Sequence, residues 1–278
     1  MAGVLTLCGT PIGNLEDASE RLIRTLKEAD CIACEDPRRT KKLLTHFGVQ
    51  ARDLVVYNDG NERRQSVRLV GRLKRGDDVA LVSDAGMPGM SDPGYRLVRA
   101  CVDEGIDVSV VPGPNAAVTA LGVSGLPPGR FAFEGFLPRK PGERAQRVAD
   151  LADERRTMIF YVSPHRIEAY LAELVEAWGD RPASLVRELT KMFEEVRRGS
   201  LSELLEGVRS DPPKGEIVLL VGGASDRSRT FRPEELAARA RTLMAGGVDR
   251  KEAMSRVALE AGVQRRQVFD SLVADKQD

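Results

Sequence analysis

Val79-Ala80-Leu81-Val82 runs directly into Ser83-Asp84-Ala85-Gly86-Met87-Pro88-Gly89-Met90-Ser91-Asp92-Pro93-Gly94. The short apolar run is typical of a buried strand, and the segment after it combines glycine, proline and aspartate. Glycine has no Cβ and lets the backbone approach a ligand closely, whereas proline fixes the shape of a turn. This stretch therefore predicts a rigid loop at the carboxyl end of a parallel strand, where a sheet holds a small polar cofactor.

The same alternation of strand and helix extends to both sides of this stretch. Strand-like runs occupy 4–8, 31–34, 54–57, 79–82 and 108–111, and helical patterns lie between them at 18–28, 38–47, 62–75 and 95–104. Strands that alternate with helices of this length predict right-handed crossovers and a parallel sheet. Gly-, Pro- or Asp-containing loops follow each run, so we expect them to share the ligand-binding rim of that sheet.

A second α/β domain is predicted after this sheet. A short helix over 115–122 and a crossing segment over 124–136 precede strand candidates at 158–162, 183–186 and 217–221 and helix candidates at 143–154, 166–178 and 202–208. Because these strands are fewer and more widely spaced, we expect a mixed sheet. The predicted fold is thus α/β, with one α/β domain over 1–115, a second over 116–224 and a helical tail over 225–278.

The tail contains a polar linker at 227–233 and then helical segments. Pro233 begins one helix, Asp249 caps the next with Glu252 as its capping-box partner, and Gly262 ends it before a last helix over 265–274. Helix, short turn and helix resemble a nucleic-acid-binding arrangement, but two short helices packed on a domain have the same pattern.

Charge and composition narrow the class of protein. Among the 278 residues, 42 Lys and Arg balance 42 Asp and Glu. This neutrality argues against a large nonspecific nucleic-acid coat and leaves room for a local basic patch. The sequence has neither an apolar run long enough to cross a membrane nor a signal-like N-terminus, so we expect a cytoplasmic protein.

Several kinds of site are disfavoured by the motifs. Cys31 and Cys34 form a lone C-x-x-C in an apolar run, and the histidines are His46 and His165. We therefore expect buried structural thiols and no metal site. The sequence also lacks the P-loop, the G-x-G-x-x-G fingerprint and the G-x-S-x-G elbow. What remains is a cofactor that carries its own reactive group.

Eight ordered motifs carry a family resemblance. They are Thr10-Pro11-Ile12-Gly13-Asn14-Leu15, Glu35-Asp36-Pro37-Arg38, Ser83–Gly94, Val111-Pro112-Gly113-Pro114, Glu134-Gly135-Phe136-Leu137-Pro138, Ser163-Pro164-His165-Arg166, Arg187-Glu188-Leu189-Thr190-Lys191 and Lys214-Gly215-Glu216. The chain resembles the bacterial small-subunit ribosomal RNA cytidine 2′-O-methyltransferases, a branch of the tetrapyrrole-methylase-like superfamily. It departs from that family's pattern at Pro37, where Thr is usual, and at Asn115, where Ser is common.

The resemblance implies S-adenosylmethionine bound in a cleft between the two α/β domains of a homodimeric enzyme. By motif position, the cofactor-lining residues are Pro11, Ser83, Asp84, Ala85, Gly86, Ser91, Pro112, Gly113 and Pro114, with Tyr161, Val162, Leu189 and Ile217 around the adenine. The implied substrate is a cytidine ribose in small-subunit ribosomal RNA, either free or in the assembled small subunit.

A ribose 2′-hydroxyl needs a group that accepts its proton as the new bond forms. The candidates are Asp36, Glu188, Lys191 and His165, with Glu35 beside them. Asp36 and Glu188 rank first, while Lys191 can instead hold a phosphate and Glu188 can form a structural ion pair. For gripping RNA phosphates and stacking on bases we expect Arg38, Arg39, Arg139, Lys140 and Arg197.

Two other functions compete with this one. The superfamily also methylates small tetrapyrroles, but Ser83-Asp84-Ala85-Gly86 and Ser163-Pro164-His165-Arg166 favour the RNA branch. The other alternative is a noncatalytic nucleic-acid-binding protein that uses the helical tail. Transfer of a labelled methyl group to RNA separates an enzyme from a binder.

Overall fold

The computed structural model describes residues 2–224, 233–261 and 263–274. They divide into two compact units: residues up to Ala152 together with Arg156–Gly222, and Asp153–Arg155 together with the residues from Gly223 onward. Both sheets lie in the first unit. The three-part division with boundaries near residues 115 and 224 stays a prediction.

The first sheet is fully parallel, as the sequence predicts. Its strands are β1 (Leu5–Cys8), β2 (Cys31–Cys34), β3 (Leu54–Val56), β4 (Val79–Val82) and β5 (Val108–Val111), in the order β3-β2-β4-β1-β5. The intervening helices are α1 (Glu20–Glu28), α2 (Pro37–His46), α3 (Glu62–Lys74) and α4 (Tyr95–Asp103). β2 and β4 are buried at every position because helices cover both faces of the sheet there, and separate apolar clusters lie on the two faces, whereas β5 is exposed over 108–110.

The second sheet is mixed. Its strands are β6 (Phe131–Phe136), β7 (Thr157–Val162), β8 (Pro182–Arg187), β9 (Glu195–Ser200) and β10 (Ile217–Val221), in the order β6-β7-β10-β8-β9. Only the β6–β7 pair is parallel among the described strands of this sheet. The helices of this half are α5 (Ala116–Ser124), α6 (Pro141–Asp150), α7 (Ile167–Trp178) and α8 (Leu201–Ser210).

Two strands of this sheet are absent from the sequence-based prediction. β9 reads Glu-Val-Arg-Arg-Gly-Ser and has a single large apolar residue, because it is an edge strand whose Glu195 forms ion pairs with Arg197 and with Arg187 of β8. β6 lies inside the segment that was predicted as a crossing, and its register with β7 shifts between Phe133 and Gly135. A polar edge strand and a bulged strand both lack the continuous apolar signal on which the prediction relied.

The helical tail contains α9 (Pro233–Ala245), α10 (Arg250–Ala261) and α11 (Arg265–Ala274), which pack around their own apolar cluster. Asp249 caps α10, since its carboxylate accepts hydrogen bonds from the backbone of Lys251 and Glu252 at 2.9 and 3.1 Å. Residues 227–232 of the predicted linker and the predicted helix end at Gly262 lie outside the described residues. No described helix is both long and apolar enough to traverse a lipid bilayer.

Candidate active site

The loops at the carboxyl ends of the first sheet's strands are tied to one another. The backbones of Thr10 and Gly86 exchange hydrogen bonds of 2.9 and 3.1 Å. Gly9 and Gly113 cross so closely that a Cβ on Gly9 would lie 2.6 Å from the backbone nitrogen of Gly113. Asp84 accepts a hydrogen bond from the backbone of Asp36 at 3.0 Å. The loops after β1, β2, β4 and β5 therefore form one rigid rim.

A hollow of about 340 Å³ opens between this rim and the second sheet. Most of its wall is apolar. Its lining includes the predicted cofactor residues Ala85, Gly86, Ser91, Tyr161, Val162, Leu189 and Ile217. All four residues predicted to surround the adenine thus face the same space as six residues of the Ser83–Gly94 loop, three of which were predicted to bind the cofactor. We call this space the first hollow.

Asp92 also lines the first hollow and was not among the predicted site residues. Burial, followed by repulsion from Glu35, raises the pKa of Asp92 from 3.8 to about 6, while a hydrogen bond from Ser83 opposes the shift. Burial likewise raises the pKa of Glu35, with Asp84 adding to it. The only sequence signal for Asp92 is its place beside Ser91 in the quoted loop. The hollow thus has an acidic wall that favours a cationic ligand.

A second hollow of about 360 Å³ adjoins the first. Its lining includes the predicted residues Pro11, Ser83, Asp84, Arg39 and Lys191, together with Lys42 of α2. The two hollows have three residues in common, namely Ile12, Ala85 and Glu216. Three cationic side chains and the carboxylates of Asp84 and Glu216 thus line the second hollow, whereas the first is mostly apolar and its charged side chains are those of Asp92 and Glu216.

Lys191 stands at the edge of the second hollow in a cluster of charges. Its Nζ donates to Glu188 Oε1 at 2.9 Å and to Glu216 Oε2 at 3.0 Å. Burial alone would lower the pKa of Lys191, but these two hydrogen bonds together raise it. The backbone N–H of Glu216 and the Lys191 ammonium lower the pKa of Glu188. Lys191 therefore remains an ammonium and Glu188 a carboxylate.

The backbone that carries this cluster is unusual. Glu188 and Thr190 have φ of +48° and +66°, values that non-glycine residues rarely adopt. Gly215 allows the arrangement, since a Cβ there would lie 2.2 Å from Glu188 Oε1. Residues with such backbone angles persist only where the surrounding structure holds them in place. Here Glu188 and Thr190 lie in the segment that places Lys191 beside the rim.

The other predicted proton acceptors lie apart from the hollows. Asp36 caps α2 and binds the Arg38 guanidinium, and this side-chain pairing, followed by the Arg38 backbone, lowers its pKa to about 2. His165 is exposed in the turn before α7 and lines neither hollow. The contacts of Asp36 favour a structural role, and the position of His165 places it away from both hollows.

The remaining residues predicted to bind the cofactor or RNA also lie outside the two hollows. Pro112, Gly113 and Pro114 line neither hollow, although Gly113 supports the rim through Gly9. Arg139 is exposed, and Lys140 pairs with Glu143 at 2.8 Å at the start of α6.

The Arg197 side chain makes its contacts within the second sheet and the neighbouring end of α8. Its guanidinium binds Glu195 and Asp211 and the backbone carbonyls of Gly207 and Asp211, and its side chain is 16% exposed. These contacts favour a structural role for Arg197 over the RNA contact expected from the sequence.

Residues 4–205 match the model of the tetrapyrrole (corrin/porphyrin) methylases. The chain belongs to this family. Within the family it is 46% identical over 275 residues to the ribosomal RNA small subunit methyltransferase I of Halalkalibacterium halodurans, covering 96% of this chain and 94% of that protein. It is 43% identical over 280 residues to the protein of the same name from Mycobacterium tuberculosis, covering 100% of this chain and 97% of that protein.

Solved structures of more distant proteins have the same fold. Diphthine synthase superposes with a TM-score of 0.59 at 17% identity, covering 79% of this chain and 90% of that chain. Uroporphyrin-III-C-methyltransferase from Thermus thermophilus superposes with a TM-score of 0.54 at 24% identity, covering 80% and 95%. The predictions of the family, the α/β fold and a methyltransferase are thereby confirmed.

The first hollow fits the family's cofactor, S-adenosylmethionine, whose prediction the family assignment also confirms. The apolar wall at Tyr161 and Ile217 suits an adenine, and the Asp92 carboxyl suits a positively charged ligand. Gly86, with φ of +81°, brings the backbone of the loop to the wall without a side chain. These residues, together with Ala85 and Ser91, would hold the cofactor.

Proposed function

We propose that this protein methylates the 2′-hydroxyl of a cytidine ribose in small-subunit ribosomal RNA, with S-adenosylmethionine as the methyl donor. One observation carries the proposal: an apolar and acidic hollow adjoins a hollow in which three cations outnumber two carboxylates, and the two hollows have Ile12, Ala85 and Glu216 in common. A cationic donor in the first and an anionic RNA in the second would meet at those three residues. The relatives named ribosomal RNA small subunit methyltransferase I support this choice of substrate.

The protein's contribution to the transfer is alignment. When bound, S-adenosylmethionine supplies a methyl group that is already activated by a positive sulfur. The rim then has to fix the donor relative to the ribose oxygen, and the tied backbones of Thr10 and Gly86 and of Gly9 and Gly113 suit that task.

RNA would be held at the second hollow by local charge. Arg39, Lys42 and Lys191 line it, and the chain as a whole is neutral. Beyond Lys191, the turn between β8 and β9 exposes Met192 to 90% and Phe193 to 68%. Phosphates pair with such cations, and unstacked bases stack on exposed aromatic rings. A local patch of this kind binds a shaped RNA without a basic overall charge.

The four predicted catalytic residues would then have separate roles. Lys191 would act as a fixed ammonium at the second hollow, and Glu188 would position it through their 2.9 Å contact. Asp36 would cap α2, which carries Arg39, and His165 would stay outside the reaction.

The two competing functions, tetrapyrrole methylation and noncatalytic nucleic-acid binding, can be compared with this site. The cations of the second hollow would also suit the carboxylates of a tetrapyrrole, so the choice of RNA over a tetrapyrrole is supported instead by the relatives named ribosomal RNA small subunit methyltransferase I. A noncatalytic binder that uses the tail has no need of a rigid rim around a donor hollow. The relatives favour RNA over a tetrapyrrole, and the rim favours an enzyme over a binder.

We also propose a homodimer that works in the cytoplasm. β5 is an edge strand of the first sheet, and its Val108 and Val110 are 36% and 48% exposed. An apolar edge of this kind favours pairing with a second copy. Sedimentation of the purified chain at micromolar concentration tests this, and a monomer at every concentration would contradict it.

The function itself is tested with tritiated S-adenosylmethionine and small-subunit RNA, supplied free and as assembled subunits. Digestion to nucleosides should place the label in 2′-O-methylcytidine. A label on a base, or incorporation into a tetrapyrrole in place of RNA, would refute the proposal.

A further inference from the structure

Methyl transfer to a hydroxyl leaves a proton that some group has to accept, and that group must lie where donor and acceptor meet. Among the described residues that line both hollows, Ile12 and Ala85 cannot ionise, whereas Glu216 can. Asp92 lines only the first hollow, and Asp84 lines only the second. Position therefore singles out Glu216, which lies in the quoted Lys214-Gly215-Glu216 motif but was not among the predicted catalytic residues.

The backbone of Glu216 is fixed from two sides by one neighbour. Its N–H donates to Glu188 Oε1 at 2.9 Å, and its carbonyl accepts from the Glu188 N–H at 2.9 Å. Gly215 leaves the space for the Glu188 carboxylate that makes this contact. The left-handed backbone conformation of Glu188 therefore helps to fix the position of Glu216.

The two carboxylate oxygens of Glu216 have different surroundings. Oε2 accepts the hydrogen bond from Lys191 at 3.0 Å, whereas Oε1 accepts none from the described part of the chain. The side chain is 69% exposed, so a proton taken up there can pass on to water. One oxygen is held in place and the other is open to a substrate.

We propose that Glu216 is a catalytic residue that accepts the proton of the ribose 2′-hydroxyl. This inference rests on the proposed function and names the acceptor in that same site. The ribose oxygen forms its bond to the methyl carbon as the bond from that carbon to sulfur breaks, and the electron pair of the broken bond stays on sulfur. The hydroxyl proton goes to Glu216 Oε1. Lys191, held by Glu188, keeps the carboxylate oriented.

The direct test is Glu216→Gln, which keeps the size of the side chain and an oxygen for Lys191. General-base contributions are about 10²- to 10⁴-fold, so the single-turnover rate at saturating RNA and S-adenosylmethionine should fall about 100-fold or more. Calorimetry should give unchanged affinities for S-adenosylhomocysteine and for RNA. Glu206→Gln, an exposed position on α8 outside both hollows, is the matched control and should keep the wild-type rate.

Chemical rescue separates a proton acceptor from a structural residue. Glu216→Ala should be slow, and added formate should restore part of its rate because a free carboxylate can occupy the vacated space. The inference is overturned if Glu216→Gln stays within about threefold of wild type, or if it weakens RNA binding while the saturated rate is kept. Wild-type protein that methylates no small-subunit RNA would instead refute the proposed function.

Discussion

Replacing Asp92 by asparagine should stabilise the ligand-free protein near neutral pH. The side chain faces the first hollow, where burial and then Glu35 raise its pKa from 3.8 to about 6. Ionising a carboxyl whose pKa is raised that far costs at most about 3 kcal/mol in the folded state, because one pKa unit corresponds to about 1.4 kcal/mol and solvent screens part of the cost at this half-buried side chain. Asparagine has nearly the same size and no charge to remove from water. It also removes the repulsion that Glu35 experiences.

The sign of the pH dependence follows from the two states of Asp92. Its pKa is higher in the folded chain than in the unfolded chain, so between about pH 4 and pH 6 the folded chain binds more protons. The contribution of this group to stability therefore declines as the pH rises through that window. Above about pH 6 the full penalty is present in the wild type and absent from Asp92→Asn.

Urea unfolding followed by circular dichroism at about pH 5 and about pH 7.5 measures this difference. At the higher pH, Asp92→Asn should raise the free energy of unfolding by about 1 to 3 kcal/mol, and at the lower pH the gain should shrink. Asp107→Asn, at an exposed position outside both hollows, is the control and should show no such change. An Asp92→Asn protein that is less stable than wild type at about pH 7.5 would refute the reasoning.

Three further predictions concern the rim and the RNA. Gly113→Ala should lower the free energy of unfolding in urea by about 1 to 3 kcal/mol, because its Cβ would lie 2.7 Å from the facing backbone. Gly122→Ala, with nothing within 4 Å of its Cβ, should not destabilise the protein, and equal losses would contradict the rim. Lys42→Ala should weaken RNA binding in fluorescence anisotropy and leave S-adenosylmethionine binding in calorimetry unchanged; equal loss of both would oppose an RNA role. Phe193→Ala should lower RNA affinity by about 1 to 3 kcal/mol in the same anisotropy assay, whereas Phe131→Ala should not, and matching effects would exclude stacking at Phe193.

The parallel sheet could be predicted because its strands are short apolar runs between helices. β4 is buried at all four positions, so its pattern is continuous and its loop begins where the apolar residues end. The second sheet was predicted less completely. β9 is stabilised by ion pairs such as Arg187 with Glu195, and a hydrophobicity pattern contains no information about them.

The residues of the site likewise differ in how far the sequence could predict them. Ala85 and Gly86 of the first hollow come soon after β4, so their position could be inferred from the end of an apolar run, whereas Tyr161, Val162 and Ile217 lie within strands and were implied only by the family resemblance. Glu216 and Lys191 meet through the pairing of distant segments, and the burial that raises the pKa of Asp92 exists only in the folded chain. The order of motifs along the sequence does not contain those distances.

We propose that S-adenosylmethionine and the ribose that it methylates occupy adjoining hollows that meet at Ile12, Ala85 and Glu216. A crystal structure with S-adenosylhomocysteine and a cytidine-containing RNA fragment tests it most directly. We expect the adenine to lie against Tyr161 and Ile217. The cytidine 2′-oxygen should lie in the second hollow, within reach of the cofactor's sulfur and of Glu216. A structure in which RNA leaves the second hollow empty while its ribose reaches that sulfur by another route would contradict the account.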